Sequence, residues 1–256
     1  MIPKIIHYCW LSDDPVPETL QGYMKSWKEK LPDYEFILWN FNRFDKSSSI
    51  WVSQAFDNKK YAFAADYIRL YAVYNYGGIY MDMDIEVLKS FDDLLNSQIM
   101  IGFERDNFPW IEAGCFGAEK GNLFIKDCLS YYKDRNFIKE DGSFDTLPLP
   151  QIMSKFLDEN KDVKPYEWTY FTNKSYETGI INYNVEAYSI HHFAGSWTTV
   201  AQKKYEKIKK YFYRKFGEKI GFCFSFVPFL IWQLQDNGLK VTTRKIIKRL
   251  FGKKYV

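Results

Sequence analysis

The sequence predicts an α/β fold with a mostly parallel central sheet, followed by a basic helical C-terminal extension. Two β-prone runs, residues 4–10 and 34–39, flank a segment of helical period at residues 18–30. Strand, helix and strand in this order are typical of a parallel sheet with helices on its faces. A chain of 256 residues can also bury one large core. The extension is predicted from a change in charge along the chain.

The later elements follow from periodicity and from turn residues. A helix is predicted at residues 59–76, where the following pair Gly77-Gly78 favours an exit through a left-handed conformation. Strict alternation predicts one strand at 79–87. The remaining predictions are a strand at 98–104, helices within 121–160 around a loop at 140–150, and a late strand at 186–193.

The charge of the chain reverses near residue 199. Residues 1–200 contain 20 Lys and Arg against 29 Asp and Glu, whereas residues 201–256 contain 15 against 3. We therefore expect a catalytic domain at 1–199 and a basic amphipathic extension at 200–256.

The extension predicts an association with an anionic membrane surface. Its apolar run, residues 220–234, is shorter than the roughly 20 residues of a spanning helix. Basic residues flank the run, and apolar residues recur among them at helical spacing: Ile246, Ile247, Leu250 and Phe251. The alternative is that the apolar run packs on the catalytic domain.

Composition narrows the class of protein and its compartment. The four cysteines lie far apart without a CxxC pair, which argues against a zinc cluster and a disulfide framework. The N-terminus lacks the pattern of a signal peptide, so we expect a cytoplasmic protein, peripheral at the inner face of the membrane. Basic residues cluster only in the extension, and no nucleic-acid partner is expected. Aromatic residues make up 20% of the chain and hint at surfaces for ring-shaped ligands.

The alternating segment places Asp82 and Asp84 on one face of a strand. Carboxylates two residues apart on a strand lie only about 7 Å from each other and repel. A divalent cation, Mg²⁺ or Mn²⁺, completed by substrate phosphates would relieve this repulsion. The alternative is the solvated face of an edge strand.

Two further groups of side chains are candidates for the same site. Asp66 and Arg69 stand at i and i+3 of a helix, either as a surface ion pair or as ligands of hydroxyl and phosphate groups. The pair His191-His192 precedes a tight loop, and an imidazole can join a carboxylate metal site. Trp10 follows the first strand and is either core or a platform for a base.

Four segments in order resemble bacterial members of glycosyltransferase family 32: IPKIIHYCW, SWKEKLPDYEFILWN, AFAADYIRLYAVYNYGGIYMDMDIEVLKSFDDLL and HHFAGSW. The likeness spans residues 2 to about 198. It implies a GT-A, Rossmann-like nucleotide-sugar-binding fold, a nucleotide-sugar donor, Mn²⁺ or Mg²⁺, and retention of anomeric configuration.

The resemblance also implies four catalytic residues. Asp82 and Asp84 match the DxD motif, with Asp84 as the direct metal ligand and Asp82 contacting ribose or the metal through water. Asp66 and Arg69 match the element that holds the hydroxyls of the donor sugar and its diphosphate.

The remaining implied residues surround the donor. Trp10 matches the aromatic residue that stacks on the nucleobase. The loop HFAGSW implies His192 as a metal ligand, with Ser196 and Trp197 directed toward the phosphates.

The expected function is transfer of a hexose from a nucleotide sugar, with a UDP-sugar favoured. The acceptor would be a glycan or a lipid-linked saccharide in surface, for example capsular, polysaccharide synthesis. A phosphate oxygen of the leaving group can take the acceptor proton, so no protein base is predicted. Glu104 and Glu112 are candidates for acceptor binding, but the sequence favours an interpretation of both as surface carboxylates. The alternatives are a GDP-mannose-dependent mannosyltransferase, a sugar-nucleotide hydrolase and a glycan-binding module without turnover.

Overall fold

The centre of the fold is a mixed five-stranded sheet. The computed structural model describes residues 1–106, 108–182, 184–195 and 198–251. The strands of this part of the chain are β1 (Ile5–Cys9), β2 (Glu35–Trp39), β3 (Gly78–Met81), β4 (Ile85–Val87), β5 (Ile99–Met100), β6 (Cys115–Ala118) and β7 (Ser189–His191). The order in the main sheet is β2-β1-β3-β6-β5, with β1 parallel to β2 and β3, and β6 antiparallel to β3 and β5. Four of these five strands therefore point the same way, and the predicted α/β class with a mostly parallel sheet is confirmed.

The two remaining strands form a small second sheet. β4 and β7 pair in antiparallel fashion, and Ile85 lies opposite His191. Because β4 follows β3 after three residues, the chain leaves the central sheet and enters the second one within a single short turn.

Helices cover the sheet and form the C-terminal part of the chain. They are α1 (Glu18–Lys30), α2 (Ile50–Asp57), α3 (Tyr61–Tyr76), α4 (Leu123–Ser130), α5 (Leu149–Leu157), α6 (Trp168–Phe171), α7 (Val200–Phe224) and α8 (Phe226–Phe251). α1 has the predicted bounds, and α3 ends at Gly77 and Gly78, whose φ angles are 70° and 105°. These angles require glycine because the left-handed region is unfavourable for a side chain bearing Cβ.

The predicted strand at 79–87 is wrong in one respect, because it is two strands separated by a turn at residues 82–84. The alternation persists through the turn since Met81, Met83 and Ile85 are all buried. The late strand is shorter than predicted, at Ser189–His191. Helix α2 and strand β6 were not predicted.

Two apolar clusters pack against the sheet. Successive residues of β3 alternate between them: Ile79 and Met81 belong to one, and Tyr80 to the other. The first cluster includes Trp27 of α1, and the second includes Trp51 of α2 and the apolar residues of α3. Such alternation fixes the register of β3 and, with it, the direction of the residues that follow.

The chain divides into two compact units, the first formed by residues 1–174 and 181–194 and the second by 175–180 and 195–256. The second unit contains α7 and α8, each kinked at a glycine of positive φ, Gly217 at 72° and Gly238 at 70°. Within it, the rings of Tyr205 and Trp232 stack at 5.0 Å between centroids. Among the described residues, no helix is both long and apolar enough to cross a membrane.

Candidate active site

The short turn between β3 and β4 presents the two aspartates of the DxD pattern. The amide of Asp82 donates to the carbonyl of Gly114 at 2.7 Å, and the amide of Ile85 donates to the carbonyl of Asp82 at 3.0 Å. One hydrogen bond within the turn and one to the residue before β6 therefore hold the turn in place. The carboxylates of Asp82 and Asp84 lie where the chain passes from one sheet to the other.

A histidine from the far end of the first unit completes this group. One ligand atom each of Asp82, Asp84 and His191 lies within 4.8 Å of the others. The pairing of β4 with β7 brings His191 to this place, and its Nε2 lies 3.4 Å from Oδ1 of Asp84. Two carboxylates and an imidazole that converge in this way can hold a divalent cation.

The expected ligand His192 lies elsewhere. Its Nε2 is 2.7 Å from a carboxylate oxygen of Glu86, and its ring stacks on Tyr23 with centroids 4.0 Å apart. Adjacent residues at a strand end point to opposite sides, so only one of the two histidines can face the aspartates. The structure places His191 there, which corrects the assignment made from the sequence.

Arg69 is a buried residue and not half of a surface ion pair. Only 7% of it is exposed, and its Nη1 donates to the carbonyl of Ala113 at 2.8 Å. Its Nη2 lies 3.2 Å from Asp82 and 3.5 Å from Asp66. The buried Nε has no hydrogen-bond partner among the described residues. A buried donor of this kind is costly unless a ligand satisfies it.

The carboxylates around Arg69 and His191 differ in their affinity for protons. Burial raises the pKa of Asp66 to about 6, although the charge of Arg69 opposes this effect. Burial would also raise the pKa of Asp84, but His191 and the Ala194 amide, which donates at 2.7 Å, lower it to about 2. Asp84 is thus the strongly ionised member of the group.

Glu112 is buried and Glu104 is largely buried, which corrects the interpretation of both as surface carboxylates. Glu112 is 1% exposed and accepts from the Gly114 amide at 2.6 Å and from the Thr172 hydroxyl at 2.7 Å. Its two oxygens each lie 3.0 Å from Nδ1 of His191. The side chain of Glu104 is 12% exposed and pairs with Arg105 at 3.2 Å.

Tyr80 is a further member of the site that was not predicted. Its hydroxyl donates to Oδ1 of Asp82 at 2.8 Å, and the guanidinium of Arg69 lies 4.7 Å from the centre of its ring. Alternation along the segment already placed Tyr80 on the face of Asp82, so the signal was present in the sequence.

Gly114 lies between three of these side chains and leaves no room for a side chain of its own. A Cβ at this position would lie 2.8 Å from Oε1 of Glu112, 2.8 Å from Cε1 of His191 and 3.0 Å from Oδ2 of Asp82. Real Cβ atoms do not approach neighbours so closely. The site is therefore packed around a position without a side chain.

The other predicted donor residues lie outside this group or outside the described residues. Trp10 directly follows β1 and is half-buried, and its indole N–H donates to the carbonyl of Asp14 at 2.8 Å. Its stacking on a base stays a prediction. Ser196 and Trp197 lie outside the described residues, as do the side chains of Ile247, Leu250 and Phe251 in the extension.

A known protein family matches the segment that contains most of this site. Residues 17–100 match the model of a family described as the glycosyltransferase sugar-binding region containing a DXD motif. We call these residues, about a third of the chain, the DXD region. The DXD region includes Asp66, Arg69, Asp82 and Asp84, while His191 and Glu112 lie beyond it.

Several curated relatives of this chain are fungal proteins. The chain is 33% identical over 128 residues to inositol phosphoceramide mannosyltransferase 3 of Schizosaccharomyces pombe, covering 48% of this chain and 35% of that protein. It is 35% identical over 99 residues to a mannosyl phosphorylinositol ceramide synthase of Saccharomyces cerevisiae, covering 37% and 26%. The chain thus spans about a third of the length of these relatives.

A solved structure of PaToxG glycosyltransferase aligns with a TM-score of 0.47 and 19% identity, over 62% of this chain and 69% of that one. A score at this level is too low to support a conclusion about function.

Proposed function

We propose that the protein is a divalent-metal-dependent retaining glycosyltransferase that moves a hexose from a nucleotide sugar to a hydroxyl acceptor. The observation that supports it most is the convergence of Asp82, Asp84 and His191 beside the buried guanidinium of Arg69. The match of residues 17–100 to a DXD glycosyltransferase family supports the same activity.

A Mn²⁺ or Mg²⁺ ion fits the side chains that converge here. Asp82, Asp84 and His191 would hold it, and carboxylate and imidazole ligands together suit Mn²⁺. When bound, such an ion supplies positive charge to the diphosphate of the donor.

Arg69 and Asp66 would hold the donor beside that ion. The guanidinium is fixed by Asp66, Asp82 and the Ala113 carbonyl, so it needs no reorganisation when a phosphate arrives. Asp66, buried and ionised above its raised pKa, would accept from a sugar hydroxyl.

Retention follows if the acceptor hydroxyl attacks on the face of the leaving group. The bond from the anomeric carbon to the diphosphate oxygen breaks, and a phosphate oxygen receives the acceptor proton. In this scheme Arg69 stabilises the negative charge that develops on the leaving group, and no protein base is required.

The choice of donor lies between a UDP-sugar and GDP-mannose. The sequence favours a UDP-sugar, whereas the names of the fungal relatives support a mannosyl donor and a lipid-linked acceptor. We propose a lipid-linked saccharide or a glycan as the acceptor, in surface polysaccharide synthesis.

A thermal-shift panel of UDP- and GDP-sugars with and without Mn²⁺ tests the proposal. The correct donor should raise the melting temperature only when the metal is present, because a ligand bound to the folded state alone stabilises it. Asp84→Asn is the matched control and should show no such shift. If no nucleotide sugar stabilises the protein with Mn²⁺, the proposal is wrong.

Product analysis separates transfer from the two remaining alternatives. A hydrolase would release free sugar at the same rate with and without acceptor. A glycan-binding module would bind acceptor without nucleotide and would form no product.

We also propose that the second unit docks on an anionic membrane surface, which makes the enzyme peripheral at the cytoplasmic face. Five exposed apolar side chains recur at intervals of three or four residues, each between 45% and 62% exposed: Ile220, Phe224, Val227, Ile231 and Leu234. We call these residues the apolar stripe. The 15 Lys and Arg of residues 201–256 supply complementary charge for anionic lipids.

A further inference from the structure

Glu112 is a buried carboxylate directly behind His191. It lies ahead of β6 and is anchored on two sides, by the Gly114 amide at 2.6 Å and the Thr172 hydroxyl at 2.7 Å. Burying a carboxylate is costly unless hydrogen bonds and opposite charge compensate for lost water. These contacts hold the Glu112 carboxylate in one orientation and direct it toward the imidazole.

The contact with the imidazole fixes where one proton lies. Both oxygens of Glu112 are 3.0 Å from Nδ1 of His191, and an ionised carboxylate can only accept hydrogen bonds. Nδ1 must therefore carry a proton. The opposite nitrogen, Nε2, faces the carboxylate of Asp84 at 3.4 Å and belongs to the group that converges with Asp82. Without a metal this nitrogen also carries a proton, and a divalent cation would take the place of that proton.

We propose that Glu112 is a positioning residue that keeps the proton of His191 on Nδ1 and so directs the Nε2 lone pair to a divalent cation held with Asp82 and Asp84. The inference rests on the metal site of the proposed function. Metal-binding imidazoles generally donate their second N–H to a carboxylate or carbonyl, which fixes the tautomer and the plane of the ring. Glu112 has the charge and the position for this task.

Thr172 contacts both Glu112 and His191. Its hydroxyl donates to Glu112, while its backbone carbonyl accepts from the amide of His191 at 2.9 Å. A single residue at the end of α6 thus contacts both partners. Thr172→Val removes the hydroxyl and keeps the shape, so it should loosen the orientation of Glu112 without removing its charge.

The first test is a titration of the full chain with Mn²⁺ followed by electron paramagnetic resonance, which counts the unbound ion. Glu112→Gln keeps the shape and removes the charge, and it should weaken Mn²⁺ binding about 10- to 100-fold, the usual effect of losing a partner behind a metal ligand. Thr172→Val should weaken it by a smaller factor. Asp145→Asn, which likewise removes the charge of a buried carboxylate that pairs with an arginine, is the matched control and should bind as wild type does.

The second test needs no substitution to remain folded. The chain contains three histidines, so the ring nitrogens can be resolved by nitrogen-15 NMR in protein saturated with diamagnetic Mg²⁺. His191 should be neutral with its proton on Nδ1, and its signal is assigned in the wild-type chain by correlation of the ring with its own backbone.

The outcomes separate this inference from the proposed function. Wild-type Mn²⁺ affinity in a folded Glu112→Gln overturns the role of Glu112 and leaves the metal site intact. A proton on Nε2 of His191 under Mg²⁺ overturns both the role of Glu112 and His191 as a ligand, and leaves Asp82 and Asp84 as the metal site. Absence of Mn²⁺ binding by the wild-type chain overturns both.

Discussion

Arg69 joins three separate parts of the chain through one planar group. Its guanidinium contacts Asp66 of its own helix, Asp82 of the turn after β3 and the carbonyl of Ala113. A guanidinium presents several donors in fixed directions, whereas an ammonium is a single point of charge. The shape of the group, in addition to its charge, is therefore part of the site.

Arg69→Lys should lower kcat by about 100-fold or more, because preorganised donors to a leaving group contribute on this scale. It should also lower the free energy of unfolding by about 1–3 kcal/mol through lost charged hydrogen bonds. Steady-state kinetics and urea denaturation measure the two effects. The control is Arg135→Lys, whose pair with Asp145 is 43% exposed on the arginine side and should matter little. Near-wild-type kinetics for Arg69→Lys would contradict the assignment.

Asp84→Asn should abolish Mn²⁺-dependent turnover and leave the protein folded. The amide can still accept from Ala194, but it lacks the charge that faces His191. Initial rates across a Mn²⁺ series and circular dichroism check the two parts. Asp57→Asn, which removes an exposed partner of Lys46, is the control. Full activity with unchanged Mn²⁺ dependence would refute the role of Asp84.

Asp66 should give the protein a distinctive pH dependence. Burial raises its pKa from 3.8 to about 6, so between these values the folded chain binds a proton that the unfolded chain has released. The contribution of Asp66 to the free energy of unfolding therefore falls as pH rises through this window. Asn at this position cannot titrate. The unfolding free energy of wild type minus that of Asp66→Asn should decrease from about pH 4 to about pH 7, measured by urea denaturation, and an increase would contradict the expected sign.

At the scale of elements, the passage from α3 into β3 depends on close backbone contact. A Cβ at Gly78 would lie 2.6 Å from the carbonyl oxygen of Ile5 and 3.2 Å from Nε2 of His7. His7 is itself buried, between the carbonyl of Gly77 at 2.7 Å and the indole N–H of Trp39 at 3.1 Å. The junction has no room for a side chain.

Gly78→Ala should destabilise the protein by more than Gly121→Ala. Both glycines have positive φ, at 105° and 76°, and each substitution meets a backbone penalty of about 1–2 kcal/mol. Only Gly78 adds a steric clash, because nothing lies within 4 Å of a Cβ at Gly121. Urea denaturation of the two variants measures the difference, and equal losses of stability would show that the close contact at Gly78 has no energetic effect.

Periodicity predicted the helices of this fold better than its strand pairing. Helix α1 was predicted to the residue, because the prolines before it and its helical period are both local features. The turn at Asp82 to Asp84 was missed because alternation reports burial and not hydrogen bonding. β6, with the short sequence CFGA, lacks the β-branched residues that mark strands.

The candidate site was predictable where its residues share a motif and not where they meet through folding. Asp66, Arg69, Asp82 and Asp84 stand within a short stretch of chain and were found. The choice of His191 over His192 depends on the partner of β7, which no local pattern reveals. Glu112 belongs to no motif and becomes visible only through its contacts with Thr172 and the imidazole.

At the scale of the whole molecule, charge and exposed apolar side chains coincide in the second unit. The apolar stripe runs through the end of α7 and the start of α8, between segments rich in Lys. An enzyme whose acceptor is lipid-linked would share a surface with that acceptor. The predicted division at residue 199 stays a prediction about function, which membrane binding can test.

Full-length protein should float with anionic liposomes at low salt and less at high salt, because salt screens the attraction of Lys to anionic lipid. The double variant Phe224→Glu and Ile231→Glu should not float, since it places charge within the apolar stripe. Val185→Glu, at a residue of the first unit that is 90% exposed, is the matched control. Failure of the wild-type chain to float on anionic vesicles would exclude membrane docking.

The crowding around Gly114 also determines how the protein can vary. Any side chain at this position meets Glu112, His191 and Asp82 together, three residues drawn from distant parts of the chain. Selection for activity should therefore tolerate no replacement at position 114, although a carbonyl and an amide are its only polar groups. In a library of all single substitutions, this glycine should be as intolerant as the aspartates themselves.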